Sequence, residues 1–159
     1  MTIRTDSADG TRAVAAALGG LLVAGDVVLL IGELGAGKTA FAQGLARGLG
    51  VDEPVTSPTF TIVHVYEGRL RLAHVDVYRL DRVQDLYDLG FDELVDDGGV
   101  TVVEWGDLVE QLVPAEHLVV RIKPGAADNE RMLELSYEGP RWRGRREAVE
   151  HAMHNGSGG

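Results

Sequence analysis

Residues 27–41 read VVLLIGELGAGKTAF. No other stretch of this 159-residue chain restricts its fold as much. Five consecutive apolar residues, with no polar alternation, suit a strand buried on both faces of a sheet. The run empties into Gly32, Gly35 and Gly37, and then into TAFAQGLARGLG, which reads as a helix stopped near Gly50. Strand, glycine loop and helix in that order make a layered α/β domain the expectation.

The loop also carries chemistry. Gly32, Gly37, Lys38 and Thr39 satisfy the pattern G-x-x-x-x-G-K-[ST]. Glycines let the backbone curl so that successive N–H groups point at one phosphate. The helix N-terminus adds the positive end of its dipole. Lys38 reaches the β- and γ-phosphates, and the Thr39 hydroxyl is placed to ligate Mg²⁺. Only Lys38 and Lys123 among fifteen basic residues are lysines, so a lysine at this position is not background composition. A Mg²⁺ site needs an acidic partner at the end of a neighbouring strand. The chain offers two: LAHVD ends on Asp76, and VTVVE ends on Glu104. The residues alone leave open which one holds the metal and which one serves the reacting phosphate.

The rest of the chain fits around this centre. DSADGTRAVAAALGGLL reads as a helix capped by Asp6 or Ser7. Residues 61–66 and 69–75 read as a hairpin about Glu67 and Gly68, and residues 78–89 as a short helix. A turn at 96–99 precedes a strand at 100–103, and DLVEQLV forms a short helix. Residues 118–122 and 132–137 form a last strand pair. The expected fold is a three-layer P-loop NTPase domain over 1–139, with a mostly parallel central sheet plus antiparallel hairpin additions. Residues 140–159 form a polar tail, arginine-rich and then glycine-rich, expected to be partly disordered from 153 onward.

Charge and composition exclude several functions. With a net charge of −10, broad affinity for nucleic acid is disfavoured. The segment PRWRGRR (140–146) runs the other way. It reads as a solvated tail, with an RNA or partner contact as the alternative. The absence of cysteine removes disulfides and thiolate chemistry. Neither a signal peptide nor a membrane span is apparent, and the cytoplasm is the expected compartment. The five histidines lack metal-ligand spacing. No N-K-x-D or T-K-x-D follows the loop, which disfavours GTP. No internal arginine-bearing lid appears, which disfavours a small-molecule kinase, though a stand-alone kinase stays as the alternative. What remains is a small ATP switch acting through a partner.

Five motifs together resemble a known family. GELGAGKTAF, SPTF (57–60), HVDVYRL (74–80), LGFDEL (89–94) and VEWGD (103–107) have the order and spacing of the TsaE (YjeE) family. These are ATPases of bacterial tRNA threonylcarbamoyladenosine biosynthesis. The resemblance spans roughly residues 3–138. It implies Mg²⁺-dependent ATP hydrolysis in support of threonylcarbamoyl modification at adenosine 37 of tRNAs reading codons that begin with A. It also implies that the partner TsaD, with TsaB as its companion, performs the transfer and takes most of the tRNA contact. By position, Gly35, Ala36, Gly37, Lys38, Thr39 and Ala40 would wrap the phosphates. Thr39 and Glu104 would hold Mg²⁺, and Asp76 would support hydrolysis beside the γ-phosphate. Ser57, Pro58, Thr59 and Phe60 would form a switch loop, and Trp105 would act beside the metal ligand. Thr11 matches a threonine near the adenine. Arg131 is a candidate for a nucleotide or partner contact, or else a surface arginine at a strand end. His74 belongs to its motif as a structural residue. Ala40 stands where the family often has a second threonine, which implies modestly weaker affinity.

Overall fold

A computed structural model gives the architecture. It describes residues 1–33, 35–56, 63–76, 93, 95, 98–104, 110 and 113–158. In chain order the elements are β1 (Thr2–Thr5), α1 (Ala8–Gly19), β2 (Val27–Ile31), α2 (Lys38–Gly48), β3 (Val63–Tyr66), β4 (Leu72–Asp76), β5 (Val100–Glu104), β6 (His117–Pro124), β7 (Arg131–Glu138) and α3 (Pro140–Ser157). The expected helices at 78–89 and over DLVEQLV lie outside the described residues, apart from Glu110 and Val113.

The strands form one seven-stranded sheet in the order β1-β7-β6-β2-β5-β4-β3. Its centre is parallel: β2 pairs with β6 and β5, and β5 with β4. The flanks are antiparallel, through β6–β7, β7–β1 and β4–β3. The fold is thus mixed α/β, parallel at the centre with antiparallel additions at both edges. The strand β1 was not legible in the sequence, because TIRT is short and half polar. It is held in place by β7, more than a hundred residues later, with Thr5 opposite Arg131.

The apolar run in β2 is buried on both sides, as a central parallel strand requires. Val28 and Leu30 join the larger core with α1, α2 and α3. Val27 and Leu29 join a second core on the opposite face with Val75, Val103 and Val119. The same alternation sorts the polar ends of the neighbouring strands. Leu72, Val100 and Val102 face the helices. Two-residue periodicity therefore puts His74, Asp76 and Glu104 on that face too.

The helices touch backbone to backbone. Ser7 caps α1 by accepting from the Gly10 N–H at 2.9 Å. A Cβ at Gly44 of α2 would lie 2.2 Å from the Arg12 carbonyl, and one at Gly48 would lie 2.2 Å from that of Ala16. Both positions sit on one stripe of α2, and only hydrogen allows α1 so close.

The segment after Gly139 corrects the expectation of a disordered tail. It is an 18-residue helix, α3, with Pro140 in its first turn after Gly139 at φ 95°. Trp142, Val149 and Met153 are fully buried, at a seven- then four-residue spacing that keeps one face on the core. Average composition hid that face among polar residues. The arginines are structural as well. Arg145 donates to both carboxylate oxygens of buried Asp26, at 2.9 and 3.0 Å, and to the Leu21 carbonyl at 2.8 Å. Its guanidinium also stacks 4.3 Å from the Trp142 ring. Arg141 adds a weaker contact to Asp26 at 3.5 Å. Among the described residues, no helix is long and apolar enough to cross a membrane.

Candidate functional site

The glycine loop connects the end of β2 to the start of α2, at the C-terminal edge of the parallel strands. Open α/β sheets bind ligands at this edge. Gly35 (φ 82°) and Gly37 (φ 108°) take left-handed conformations that side-chain-bearing residues rarely adopt. Gly37 is also the N-cap of α2, and it supplies no side-chain hydrogen bond to the first turn. Such a helix end presents N–H groups and a positive dipole to an anion. A cavity of about 620 Å³ opens along the loop, between Gly32 and Glu33 on one side and Arg121, Lys123 and Pro124 of β6 on the other. That volume is in the range of small-molecule sites, but the cavity adjoins the loop and is lined by none of Lys38, Thr39, Asp76 and Glu104.

Lys38 is the first residue of α2 and is buried. Its Nζ donates to the carbonyls of Gly32 at 2.6 Å and Glu33 at 2.9 Å, so the lysine folds back over its own loop. Burial holds the ammonium below the ordinary lysine range, while the charges of Glu104 and Asp76 pull it the other way. Thr39 and Ala40 follow in the first turn, both half-buried.

The two carboxylates stand side by side. Asp76 is paired with Glu104 in the β4–β5 register, and both are buried. Strands pair at about 4.8 Å, so Lys38 meets a pair of acids rather than one. Behind them His74 is fully buried, its Nε2 3.4 Å from Glu104 Oε2. Among the described residues, both ring nitrogens of His74 and the Oε1 of Glu104 lack a hydrogen-bond partner. A buried carboxylate oxygen with no partner is costly, and it fits a hard cation that prefers oxygen ligands.

Arg131 is not a free surface arginine. Its Nε donates to the Ala36 carbonyl at 2.8 Å, and Nη1 to the carbonyls of Asp128 and Glu130 at 2.7 and 2.8 Å. A trans peptide points its C=O and N–H in opposite directions. Holding the Ala36 carbonyl on Arg131 therefore turns the Gly37 N–H away from that guanidinium. Thr11 lies one step further back. It is 1% exposed, and its hydroxyl is 2.7 Å from that of Thr5, the residue opposite Arg131. Lys38, Asp76 and Glu104 are thus brought together, whereas the Thr11 hydroxyl is engaged inside the fold. Ser57, Pro58, Thr59, Phe60 and Trp105 lie outside the described residues. The sequence reading missed the bracing by Arg131 and the contact of His74 with Glu104. The alternation in HVD, which puts His74 and Asp76 on one face, was the available signal for the second.

Comparison with known proteins places this geometry. The family model described as threonylcarbamoyl adenosine biosynthesis protein TsaE matches residues 5–133. The chain belongs to the TsaE family. Its relatives include the tRNA threonylcarbamoyladenosine biosynthesis protein TsaE of Treponema pallidum, 46% identical over 77% of this chain and 91% of that one. The protein of the same name from Bacillus subtilis is 44% identical over 87% of each chain. Among solved structures, the crystal structure of Bacillus subtilis YdiB superposes with a TM-score of 0.82 at 38% identity, covering 95% of this chain and 94% of that one. The resemblance carried by the five motifs is therefore one of TsaE membership. Structural coverage of 95% leaves fewer residues unmatched than the 18 of α3, so at least part of the C-terminal helix is matched in YdiB.

Proposed function

We propose that the chain binds and hydrolyses Mg²⁺–ATP at the loop of residues 32–40, and that this supports threonylcarbamoyl modification of adenosine 37 in tRNA. The observation that carries the reading is the convergence of Lys38, Asp76 and Glu104 on the mouth of the glycine loop, with one Glu104 oxygen left without a partner. Two relatives described as tRNA threonylcarbamoyladenosine biosynthesis proteins support the pathway.

In this reading the N–H groups of Gly35, Ala36 and Gly37 receive the phosphates, and Arg131 keeps the Ala36–Gly37 peptide in its receiving orientation. Lys38 exchanges its two loop carbonyls for phosphate oxygens, which replaces neutral acceptors by charged ones. Thr39 and Glu104 would hold Mg²⁺, which when bound neutralises charge on the β- and γ-phosphates. Asp76, beside Glu104, orients the water that attacks the γ-phosphate. Residues 57–60 and Trp105 report the nucleotide state to the TsaB–TsaD assembly, in which TsaD carries out the transfer to tRNA in the cytoplasm. The chain itself transfers no threonylcarbamoyl group.

The test is reconstitution with TsaB, TsaD, tRNA and threonylcarbamoyl donor, with and without this chain. The chain is expected to be required for repeated turnover, and Glu104→Ala and Asp76→Ala each to abolish that support. Full modification without the chain, or full support by both variants, would sink the proposal. ATP turnover that instead depends on a small metabolite and ignores TsaB and TsaD would favour a stand-alone kinase.

A further inference from the structure

We propose that His74 is a positioning residue that keeps Glu104 a one-oxygen ligand and so biases the site toward Mg²⁺ over Ca²⁺. The inference rests on the reading of Glu104 as a metal ligand. His74 lies two residues before Asp76 on β4, opposite Val102 in the register, and is fully enclosed. Its Nε2 is 3.4 Å from Glu104 Oε2, just beyond a formed hydrogen bond. The carboxylate can only accept, so a contact here requires a proton on Nε2. The orphaned Nε2 faces Oε2, and a small turn of the carboxylate joins them.

Once joined, Oε2 is occupied by the histidine and Oε1 alone stays open. A carboxylate held in this way coordinates through one oxygen. Mg²⁺ demands near-octahedral geometry from single oxygens at about 2.1 Å, whereas Ca²⁺ accepts six to eight oxygens, including both of one carboxylate. Fixing one oxygen therefore costs Mg²⁺ nothing and deprives Ca²⁺ of its preferred mode. His74 acts through the orientation of Glu104 and touches neither nucleotide nor water.

Mg²⁺ and Ca²⁺ titrations against the ADP-loaded protein would test this, using wild type, His74→Gln and His74→Leu. Glutamine keeps an N–H donor near the Nε2 position, and leucine keeps bulk without it. His74→Leu is expected to lose about tenfold or more in Mg²⁺ affinity, the usual scale for an outer-sphere partner of a metal ligand. Its Ca²⁺ affinity should hold or rise, its metal-free ADP affinity should be unchanged, and His74→Gln should resemble wild type. Unchanged Mg²⁺ and Ca²⁺ affinities in a folded His74→Leu would overturn the proposal. Glu104→Gln, run in parallel, isolates the underlying reading: if that variant binds Mg²⁺ like wild type, Glu104 is not the ligand. If His74→Leu does not fold, ¹⁵N NMR of the wild-type imidazole decides. A protonated Nε2 that becomes more protected on adding Mg²⁺ supports the role, and an unprotonated Nε2 refutes it.

Discussion

Arg145→Ala tests whether the C-terminal arginines are a lock or a decoration. The Asp26 carboxylate is 1% exposed, and it receives both Arg145 bonds along with the Val23 N–H at 2.8 Å. Removing Arg145 strands that charge, with Arg141 at 3.5 Å as the nearest replacement. Breaking a buried pair from one side costs about 3–5 kcal/mol, and partial compensation by Arg141 puts the expected loss near the low end, about 3 kcal/mol. The stacking on Trp142 contributes in the same direction. With a urea slope of about 1–3 kcal/mol per molar, the midpoint should fall by roughly 1–3 M. The matching experiment places Arg145→Ala in an Asp26→Asn background, where no charge is left behind; there the loss should shrink to about 1 kcal/mol or less. Equal losses in the two backgrounds, or a loss under about 0.5 kcal/mol in the first, would refute the lock and return the segment to the solvated tail that its composition suggested.

Gly44→Ala and Gly144→Ala should shift the melting temperature in opposite directions. The first drives a methyl against the Arg12 carbonyl and should cost about 1–3 kcal/mol. The second meets nothing within 4 Å on α3 and should gain up to about 1 kcal/mol. Nucleotide affinity should fall as pH rises from neutral toward the depressed Lys38 titration, because the bound phosphates favour the protonated lysine and binding takes up protons. Calorimetry in buffers of different ionisation heat reads that uptake, and Lys38→Arg should remove it. Arg131→Ala should raise the ADP dissociation constant about tenfold or more by releasing the Ala36–Gly37 peptide, a loss of roughly 1.4 kcal/mol. Arg131→Lys, which keeps one donor, should recover part of it, and equal affinity in wild type and Arg131→Ala would exclude the brace.

Legibility in the sequence followed the range of the interactions. The run β2–loop–α2 is local, and its apolar block, glycines and lysine announced strand, turn and helix without help from the rest of the chain. The ends of β4 and β5 were equally plain, because each apolar stretch finishes on a carboxylate. What the sequence could not supply was adjacency. That Asp76 and Glu104 share a rung follows from strand order, and strand order is set by the burial of whole faces. Arg131 reaches Ala36 from 95 residues away, and nothing local to either marks the pairing. The edge strand β1 owes its form to β7, and α3 owes its buried face to three residues scattered through a polar segment. The family motifs supplied expected roles for single residues, which periodicity alone does not.

The strand order also governs when the protein can become itself during synthesis. The strand that feeds the glycine loop, β2, takes its ladder partners only from β5 and β6, made some seventy and ninety residues later. The first strand waits for β7, and buried Asp26 waits for Arg145, near the end of the chain. Non-local pairings of this kind form slowly, and the ribosome delivers the N-terminal half first. An unfinished chain ending before residue 117 therefore carries VVLLI with one flank unsheltered, a short β-prone apolar stretch of the kind that aggregates. Incomplete products of this gene are expected to be clients of chaperones and proteases, with no half-built glycine-loop site among them.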